Sequence, residues 1–341
     1  MEKKYGALLL GAGFWGKKWI ERLNNCDRIE FKGIACSPAE KEDIVKLSKL
    51  PEKQVYCDYR EAIECSDADI MINVLPAELH FDADRLALQK GMNIIAEKPL
   101  VKNRDEAEEL LKIMKACKGQ LFMVSQNYRW RPHNVTIKNA LKDGMIGSLE
   151  SITWNFRRKE DLQGYRKNLE FPLLNDMLIH HVDLMRFFCE ADCEEITANA
   201  WRPSWSEYQG KPNLDAIIHM KNGVEVSYTG SWAARGMESS WDGDIILSGS
   251  KGCLTLDADN VVSFYPTKSD NSEVLDTCKQ KPVVLDNVVM DYEEADYGLR
   301  YFIECLDEGK VPVTCLEDNY KSFSMVLSCE EAVRTKKTVK V

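Results

Sequence analysis

The sequence lacks the features that mark membrane, secreted and nucleic-acid-binding proteins. No apolar run approaches the roughly 18 residues that a membrane-spanning helix needs. The first residues, Met1 to Tyr5, lack the apolar segment and cleavage site of a secretory signal peptide. Lysine and arginine form no run, and the net charge is −10, which argues against a nucleic-acid partner. We therefore expect a cytoplasmic protein that binds neither nucleic acid nor membrane.

Cysteine motifs are also lacking, although cysteine itself is abundant. The 12 cysteines are scattered without a C-x-x-C pair. The closest two, Cys189 and Cys193, have no histidine at a zinc-binding spacing. We predict small buried thiols in a reducing compartment and no metal site.

What the sequence does contain, over residues 1–125, is a regular alternation of short apolar strands and amphipathic helices. Predicted strands are Ala7–Leu10, Phe31–Cys36, Ile70–Leu75, Asn93–Ala96 and Leu121–Val124, and predicted helices are Lys17–Leu23, Ala39–Leu47, Ala83–Lys90 and Arg104–Lys118. Such alternation is typical of βαβ units around a parallel sheet. We predict an α/β chain whose first domain spans residues 1–125.

The pattern changes in the second predicted domain, residues 126–341. Predicted strands are Leu149–Phe156, Glu195–Trp201, Ala216–Met220, Glu225–Ser231, Asp244–Leu247, Cys253–Leu256 and Val261–Tyr265, and predicted helices are Asn134–Asp143, Asp176–Phe188, Tyr297–Leu306 and Asn319–Val333. Turn signals such as Lys221-Asn-Gly223 separate several strands, as hairpins require. These features predict an α+β domain with an open, mainly antiparallel sheet.

A glycine motif, Gly11-x-Gly13-x-x-Gly16, follows the first predicted strand and opens the first predicted helix. In this context the glycines permit a tight turn, close approach of a pyrophosphate and close helix–strand packing. The helix N-terminus adds partial positive charge. We predict a Rossmann dinucleotide-binding domain, with Gly11, Gly13, Phe14, Trp15 and Gly16 at the nucleotide.

The choice between NAD and NADP stays open. Dinucleotide folds place an acid about twenty residues past the glycines, where it binds the adenosine ribose. Here the second predicted strand ends in Ser37, and Pro38 follows. A serine removes the charge that repels a 2′-phosphate, yet only Lys41 is near in sequence to bind one.

A lysine follows the strand Asn93–Ala96, in Glu97-Lys98-Pro99. Proline holds the residue before it in an extended conformation, which directs the Lys98 side chain from the strand end. Partial desolvation lowers the pKa of a lysine, so that it can exchange a proton with a substrate hydroxyl. An ordinary turn explains Lys-Pro equally well when the dipeptide is taken alone.

Three polar residues share one face of an otherwise apolar predicted helix. Asp176, His180 and Asp183 stand at i, i+4 and i+7. Polar groups on a buried helix need internal partners or a ligand. Asp176 is alternatively the N-cap of this helix. His180 is alternatively a hydrogen-bonded core residue.

Tryptophans and one arginine bear on the substrate class. Four tryptophans of the second domain offer flat faces that suit sugars: Trp201, Trp205, Trp232 and Trp241. Packing on the sheet or an oligomer interface is the more ordinary explanation of each. Arg166 precedes the helix that carries His180 and suits a carboxylate or hydroxyls, so we assign it to substrate binding.

Taken in order and spacing, these motifs resemble the glucose–fructose oxidoreductase/inositol dehydrogenase family (Gfo/Idh/MocA). The similarity covers essentially the whole chain and includes Pro76 to His80 and Asn127-Tyr128-Arg129. The resemblance implies a nicotinamide cofactor near Ser37, Pro76, His80, Glu97 and Lys98. It implies Lys98 and His180 as catalytic groups, Asp176 orienting substrate or histidine, and Arg129 at the substrate. It also implies a homodimer or homotetramer associated through the second domain's sheet.

The resemblance implies an NAD(P)-dependent oxidoreductase acting on a secondary alcohol or ketone of a sugar, cyclitol or sugar derivative. One alternative is a glycoside-cleaving enzyme of the same family, which oxidises transiently and eliminates the substituent. A second alternative is a non-enzymatic nucleotide sensor. One departure from the family is Leu173-Leu174-Asn175, where members often carry glycines before the aspartate.

Overall fold

The computed structural model describes residues 3–159, 167–267 and 281–341. The chain divides into two compact units. The first unit, which contains the predicted dinucleotide-binding domain and which we call the nucleotide-binding unit, comprises Met1–Gln126 and Ala295–Tyr320. The second unit comprises Asn127–Glu294 and Lys321–Val341. The sequence-based division placed everything after residue 125 in the second domain, so the assignment of 295–320 is a correction.

The nucleotide-binding unit is built on a six-stranded parallel sheet. Its strands are β1 (Tyr5–Leu10), β2 (Ile29–Ala35), β3 (Val55–Tyr56), β4 (Ile70–Asn73), β5 (Asn93–Ala96) and β6 (Phe122–Val124). They lie in the order β3-β2-β1-β4-β5-β6, and all pairs are parallel. This confirms the predicted α/β Rossmann sheet.

Helices connect these strands, and local side chains fix where several begin. They are α1 (Phe14–Asn25), α2 (Lys41–Ser48), α3 (Tyr59–Cys65), α4 (Ala77–Gln89) and α5 (Arg104–Ala116). Asp58 accepts a hydrogen bond from the backbone N–H of Arg60 at the start of α3. Asn103 Oδ1 accepts a hydrogen bond from the backbone N–H of Glu106 at the start of α5. Such caps satisfy backbone donors that have no partner within a helix.

Helix α9 (Glu294–Glu308) explains why residues 295–320 belong with the nucleotide-binding unit. Its apolar positions repeat at helical spacing and join the core around Ile20 and Leu23: Ala295, Leu299, Phe302 and Ile303. Arg22 pairs with Asp296 at 2.9 Å, and the Tyr5 hydroxyl donates to Asp307 at 2.9 Å. Burial of that stripe therefore returns the chain to the first core, a long-range contact that local patterning does not reveal.

The second unit is built on a nine-stranded mixed sheet. Its strands are β7 (Leu149–Arg157), β8 (Cys193–Trp201), β9 (Asn213–Met220), β10 (Glu225–Ser231), β11 (Asp244–Gly249), β12 (Gly252–Leu256), β13 (Val262–Pro266), β14 (Val283–Leu285) and β15 (Val339–Lys340). Within the described ranges their order is β14-β13-β12-β11-β7-β10-β9-β8-β15. Only β7 and β10 pair in parallel there. The prediction of a mainly antiparallel sheet is confirmed.

Four further helices are α6 (Pro132–Lys142), α7 (Pro172–Asp176), α8 (Leu178–Cys189) and α10 (Leu316–Thr335). The sheet buries alternate residues, among them Trp154, Phe156 and Tyr228, in one core with α8. Since side chains alternate between the two faces of a strand, the intervening residues lie on the opposite face. Within the part of the chain that is described, no helix is both long and apolar enough to cross a membrane.

Candidate functional site

The glycine loop has two tightly packed positions and one open position. A Cβ atom on Gly11, whose φ is +99°, would lie 2.6 Å from the Val74 carbonyl oxygen. A Cβ atom on Gly16 would overlap the Gly11 carbonyl group. A Cβ atom on Gly13 would meet no atom within 4 Å. Gly11 and Gly16 therefore shape the turn, whereas Gly13 leaves open the space that a diphosphate needs.

The first turn of α1 adds backbone donors and no opposing charge. Gly13 is the N-cap residue, and the first turn contains no acidic side chain. The N–H groups of the first turn have no partner within the helix and carry the positive end of its dipole. Phe14 and Trp15 are 71% and 42% exposed. These residues fit a dinucleotide, which they would hold through backbone N–H groups at its phosphates.

The Glu40 carboxylate lies beside Ser37, just after the end of β2. The Ser37 hydroxyl donates to Glu40 Oε2 at 2.6 Å, because a short 3₁₀ turn, Pro38–Glu40, bends back towards the strand end. The Lys41 ammonium lies 3.9 Å from a carboxylate oxygen of Glu52. Sequence reasoning missed Glu40 because it sought the acid at the strand end. The available signal was the S-x-x-E spacing of a helix start.

The turn after β5 is tied to α1 through Glu97. Glu97 Oε1 accepts a hydrogen bond from the Trp19 indole N–H at 2.9 Å. Burial raises the pKa of the Glu97 carboxyl group, against the opposing effects of this hydrogen bond and of Lys98. The Lys98–Pro99 peptide bond is cis. Lys98 therefore follows an anchored residue at the carboxyl edge of the sheet, where ligands of open α/β sheets bind.

His80 joins the segments that follow β4 and β5. Its Nε2 lies 2.9 Å from the Leu75 carbonyl oxygen, and its Nδ1 lies 3.2 Å from that of Leu100. The ring is 1% exposed, and burial lowers its pKa. Because a neutral imidazole donates from only one nitrogen, His80 can donate a hydrogen bond to one of these two loops and lies in contact with the other. Pro76, at the start of the same connection, is exposed.

The predicted helix Asp176–Phe188 is two helices. Pro172 starts the short α7, which ends at Asp176, and α8 begins at Leu178. The N-cap residue of α8 is Met177, without a side-chain cap, so the alternative of Asp176 as N-cap is wrong. Asp176, at the end of α7, is partly exposed, and His180, in α8, is 6% exposed.

Asp183 and Arg129 form a buried ion pair. The Arg129 Nε and one terminal nitrogen lie 2.6 and 2.8 Å from the two Asp183 carboxylate oxygens. The Ser322 hydroxyl donates to Asp183 at 2.8 Å. Asp183 is 1% exposed. These contacts commit two guanidinium nitrogens of Arg129 to Asp183 and so tie Arg129 to α8.

The neighbouring histidines His180 and His181 have different surroundings. His181 Nδ1 lies 2.9 Å from the Tyr228 hydroxyl, and its Nε2 lies 3.1 Å from the Trp241 carbonyl oxygen. Burial lowers the pKa of His181 to about 4. His180 instead stacks on Tyr128, with ring centroids 4.2 Å apart and planes at 10°. His181 is therefore a structural residue, and His180 is the candidate for proton transfer.

A separate pocket in the second unit is aromatic and basic. The Arg235 guanidinium carbon lies 5.2 Å from the Trp205 ring centroid. The described lining includes two tryptophans, three basic side chains and one acidic one: Trp205, Trp232, Lys159, Lys167, Arg235 and Glu207. Arg166 lies outside the described residues. Among those that are described, no group of three or more His, Cys, Asp or Glu could hold a metal ion.

Comparison with known proteins identifies the family. Residues 5–126 match the model "Oxidoreductase family, NAD-binding Rossmann fold", and residues 134–255 match "GFO/IDH/MocA C-terminal domain". D-apiose dehydrogenase of Paraburkholderia graminis is 25% identical over 350 residues, covering 99% of this chain and 90% of the relative. Inositol 2-dehydrogenase of Rhizobium meliloti is 23% identical over 339 residues, covering 98% of each.

A solved structure shows the same fold. An oxidoreductase from Agrobacterium radiobacter, in complex with NAD⁺, L-tartaric acid and magnesium, superposes with a TM-score of 0.87 at 18% identity. The match covers 99% of this chain and 98% of that one. This protein therefore belongs to the Gfo/Idh/MocA family of NAD-binding oxidoreductases.

Proposed function

We propose that this protein is a dehydrogenase or reductase that interconverts a secondary alcohol and a ketone on a sugar, cyclitol or sugar derivative. Membership of an oxidoreductase family and the names of its relatives support this reaction class. The observation that best supports the proposal is the buried position of the His180 side chain in α8. His180 is a buried imidazole four residues after Asp176, in a chain whose other unit is an NAD-binding fold.

The proposed roles follow from the chemistry of each side chain. When bound, the nicotinamide accepts or returns the hydride. His180 removes the proton from the substrate hydroxyl in oxidation and returns it in reduction. A lysine ammonium such as that of Lys98 can stabilise negative charge that builds on a substrate oxygen. Asp176 accepts hydrogen bonds from neighbouring substrate hydroxyls and so orients the carbon that reacts.

The cofactor preference follows from charge at the end of β2. A carboxylate there accepts hydrogen bonds from the ribose hydroxyls of NAD and repels the 2′-phosphate of NADP. Glu40, held against Ser37, supplies that carboxylate. The Lys41 ammonium is drawn towards Glu52. We infer that NAD is the preferred cofactor.

The oligomeric state is inferred from the face of the sheet opposite α8. Direct strand pairing places Thr197, Ile217, Ser227, Thr153 and Ile246 in one row across five strands. Ile217 is 44% exposed and Ile246 is 43% exposed. We propose that this row contributes to a homodimer or homotetramer contact. Light scattering of the wild type and of Ile217→Lys tests it, since the charged variant should dissociate.

The test of the proposed function is a substrate panel with NAD and NADP. Sugars, cyclitols, sugar acids and glycosides are included, the acids because of the basic pocket beside Trp205. Reduced nicotinamide is followed by absorbance, and bound nucleotide and products by mass spectrometry. Lys98→Met and His180→Gln are compared with two controls, Lys102→Met on an exposed side chain and His219→Gln on a partly exposed one.

The expected result is reduction of NAD with one class of polyol. Turnover should fall about 10²–10⁴-fold in the Lys98 and His180 variants and stay near wild type in both controls. Near-normal turnover in both active-site variants would overturn the assigned roles. Release of an aglycone without net reduction would instead identify the glycoside-cleaving reaction. Nucleotide binding without turnover on any substrate class would favour a sensor.

A further inference from the structure

Tyr128 lies between a cation and the His180 imidazole. The Arg131 guanidinium carbon is 3.4 Å from the centroid of the Tyr128 ring. The His180 ring is 4.2 Å away from the same centroid and nearly parallel to it. Two planar groups this close to one face would overlap, so they lie on opposite faces of the tyrosine. We call these three side chains the Tyr128 stack.

Arg131, one of the three members of the Tyr128 stack, is held in place by two carboxylates. Arg131 donates to Asp242 at 2.6 Å and to Glu294 at 2.7 Å. Asp242 also accepts a hydrogen bond from the Asn134 side-chain amide at 2.6 Å, and His133 Nε2 lies 3.1 Å from it. A guanidinium group held at two sites by charge-assisted hydrogen bonds cannot rotate freely.

Asp242 stays ionised and so keeps its charge-assisted hydrogen bond from Arg131. Burial alone would raise its pKa, but the His133 imidazole 3.1 Å away and the charge of Arg131 outweigh burial and lower the pKa to about 2. The residue before it, Trp241, presents its carbonyl oxygen to His181. The segment 241–242 therefore contacts His181 directly and reaches His180 through Arg131 and Tyr128.

We propose that Tyr128 is a positioning residue for His180, an inference that rests on the proposed role of His180 in proton transfer. The nitrogen lone pair and the N–H bond of an imidazole lie in the plane of the ring. A tilt of that plane moves them away from the substrate oxygen. A parallel aromatic ring, itself backed by a fixed guanidinium, sets the plane. Its π face also stabilises the imidazolium that forms when His180 takes up a proton.

A simple packing role makes a different prediction. Tyr128 and His180 are 7% and 6% exposed, so a core residue of similar volume would satisfy packing alone. The stack instead requires a flat aromatic ring, because an aliphatic side chain has neither a plane nor a π face. Phenylalanine should therefore preserve the function of Tyr128, and leucine should not.

The experiment compares Tyr128→Phe, Tyr128→Leu and Tyr128→Met with Tyr297→Leu. The last variant is the matched control, since it removes a tyrosine from a different stack, with Tyr301 in α9. Three measurements are made on each full-length protein: thermal unfolding, the NAD dissociation constant by calorimetry, and kcat and KM. Histidine-selective NMR, with His180 assigned from His180→Gln, reports the ring-current shift that Tyr128 imposes on His180.

In the leucine and methionine variants, the upfield shift of His180 should vanish and kcat should fall about 10- to 100-fold, while KM and NAD affinity stay within about twofold. The phenylalanine variant and the control should retain the shift and most of kcat. If Tyr128→Leu fails to fold, Tyr128→Met provides the same test. Loss of the NMR shift with unchanged kcat overturns the proposal.

The proposed role of His180 is tested separately from the proposed role of Tyr128. If His180→Gln retains wild-type kcat, His180 is not the proton-transfer group, whatever the Tyr128 variants do. If His180→Gln loses activity while the leucine and methionine variants keep it, the role of His180 stands and the role of Tyr128 is excluded.

Discussion

The Trp19 indole donates its N–H to Glu97 Oε1 at 2.9 Å, which joins helix α1 to the turn that presents Lys98. Trp19 is 1% exposed, and burial raises the pKa of Glu97. The hydrogen bond therefore partners a carboxyl group that is partly shielded from bulk water. The glycine loop and the lysine turn, far apart in sequence, are thus held by one contact.

Removing the donor should cost stability. Trp19→Phe leaves the Glu97 carboxyl group without this hydrogen bond and removes part of a buried side chain. We expect a loss of about 2 kcal/mol or more in the free energy of unfolding. Glu97→Gln keeps an oxygen that can accept from the indole, so it should cost less. Urea denaturation of both variants checks the order, and an equal or larger loss in Glu97→Gln would contradict it.

A second buried acid should make stability depend on pH. Asp84 is fully buried and accepts a hydrogen bond from the Asn73 amide at 2.8 Å. Burial raises its pKa from 3.8 to about 8, against this hydrogen bond. Between these two values the folded protein holds a proton that the unfolded chain has released. This contribution to stability is complete below pH 4 and declines as the pH rises to about 8.

The matched variant is Asp84→Asn, which cannot ionise. The difference in unfolding free energy, variant minus wild type, should grow with pH by up to about 1.4 kcal/mol per unit between pH 4 and 8. Using the difference removes the contributions of all other titrating groups. Urea denaturation at pH 5, 6, 7 and 8 measures it. A difference that is independent of pH would show that Asp84 ionises normally.

Much of the fold followed from local pattern. Strong periodicity predicted β5 at its observed bounds and most other elements to within a few residues. The strand β3 was not predicted because it has only two residues, Val55 and Tyr56, and owes its place to pairing with β2. The short α7 was not predicted because it has only five residues and begins at Pro172. A proline in the sequence is compatible both with the start of a helix and with a break in one.

The site was less predictable than the fold, because side-chain partners come from distant positions. Spacing placed Asp183 on the same face as His180, but it did not reveal that Arg129 and Ser322 satisfy Asp183. Motif position suggested His80 at the cofactor, yet its partners are the carbonyl groups of Leu75 and Leu100. Only the folded chain shows which distant groups such a polar residue contacts.

Glu40 should set the discrimination between the two nicotinamide cofactors. Glu40→Gln removes the negative charge beside Ser37 while keeping the side-chain length. We expect the ratio of the NADP to the NAD dissociation constant to fall about tenfold, since a single charge contact is worth about 1 kcal/mol in water and more when partly shielded. Calorimetric titration with each nucleotide measures the ratio. Glu52→Gln, beside Lys41, is the control, and an equal change there would assign the effect to general charge.

Gly13 and Gly16 should respond in opposite ways to the same substitution. Gly13→Ala adds a methyl group that meets no protein atom, so unfolding should change by less than about 1 kcal/mol. The methyl group nevertheless enters the space assigned to the diphosphate, and the NAD dissociation constant should rise at least tenfold.

Gly16→Ala pushes a methyl group into the Gly11 carbonyl, so the fold must shift and thermal stability should drop. Calorimetric NAD binding and thermal unfolding of both variants test this division. If Gly13→Ala unfolds at the wild-type temperature, as expected, a loss of binding there reflects the nucleotide site and not the fold. Unchanged NAD affinity in Gly13→Ala would place the diphosphate elsewhere than over this glycine.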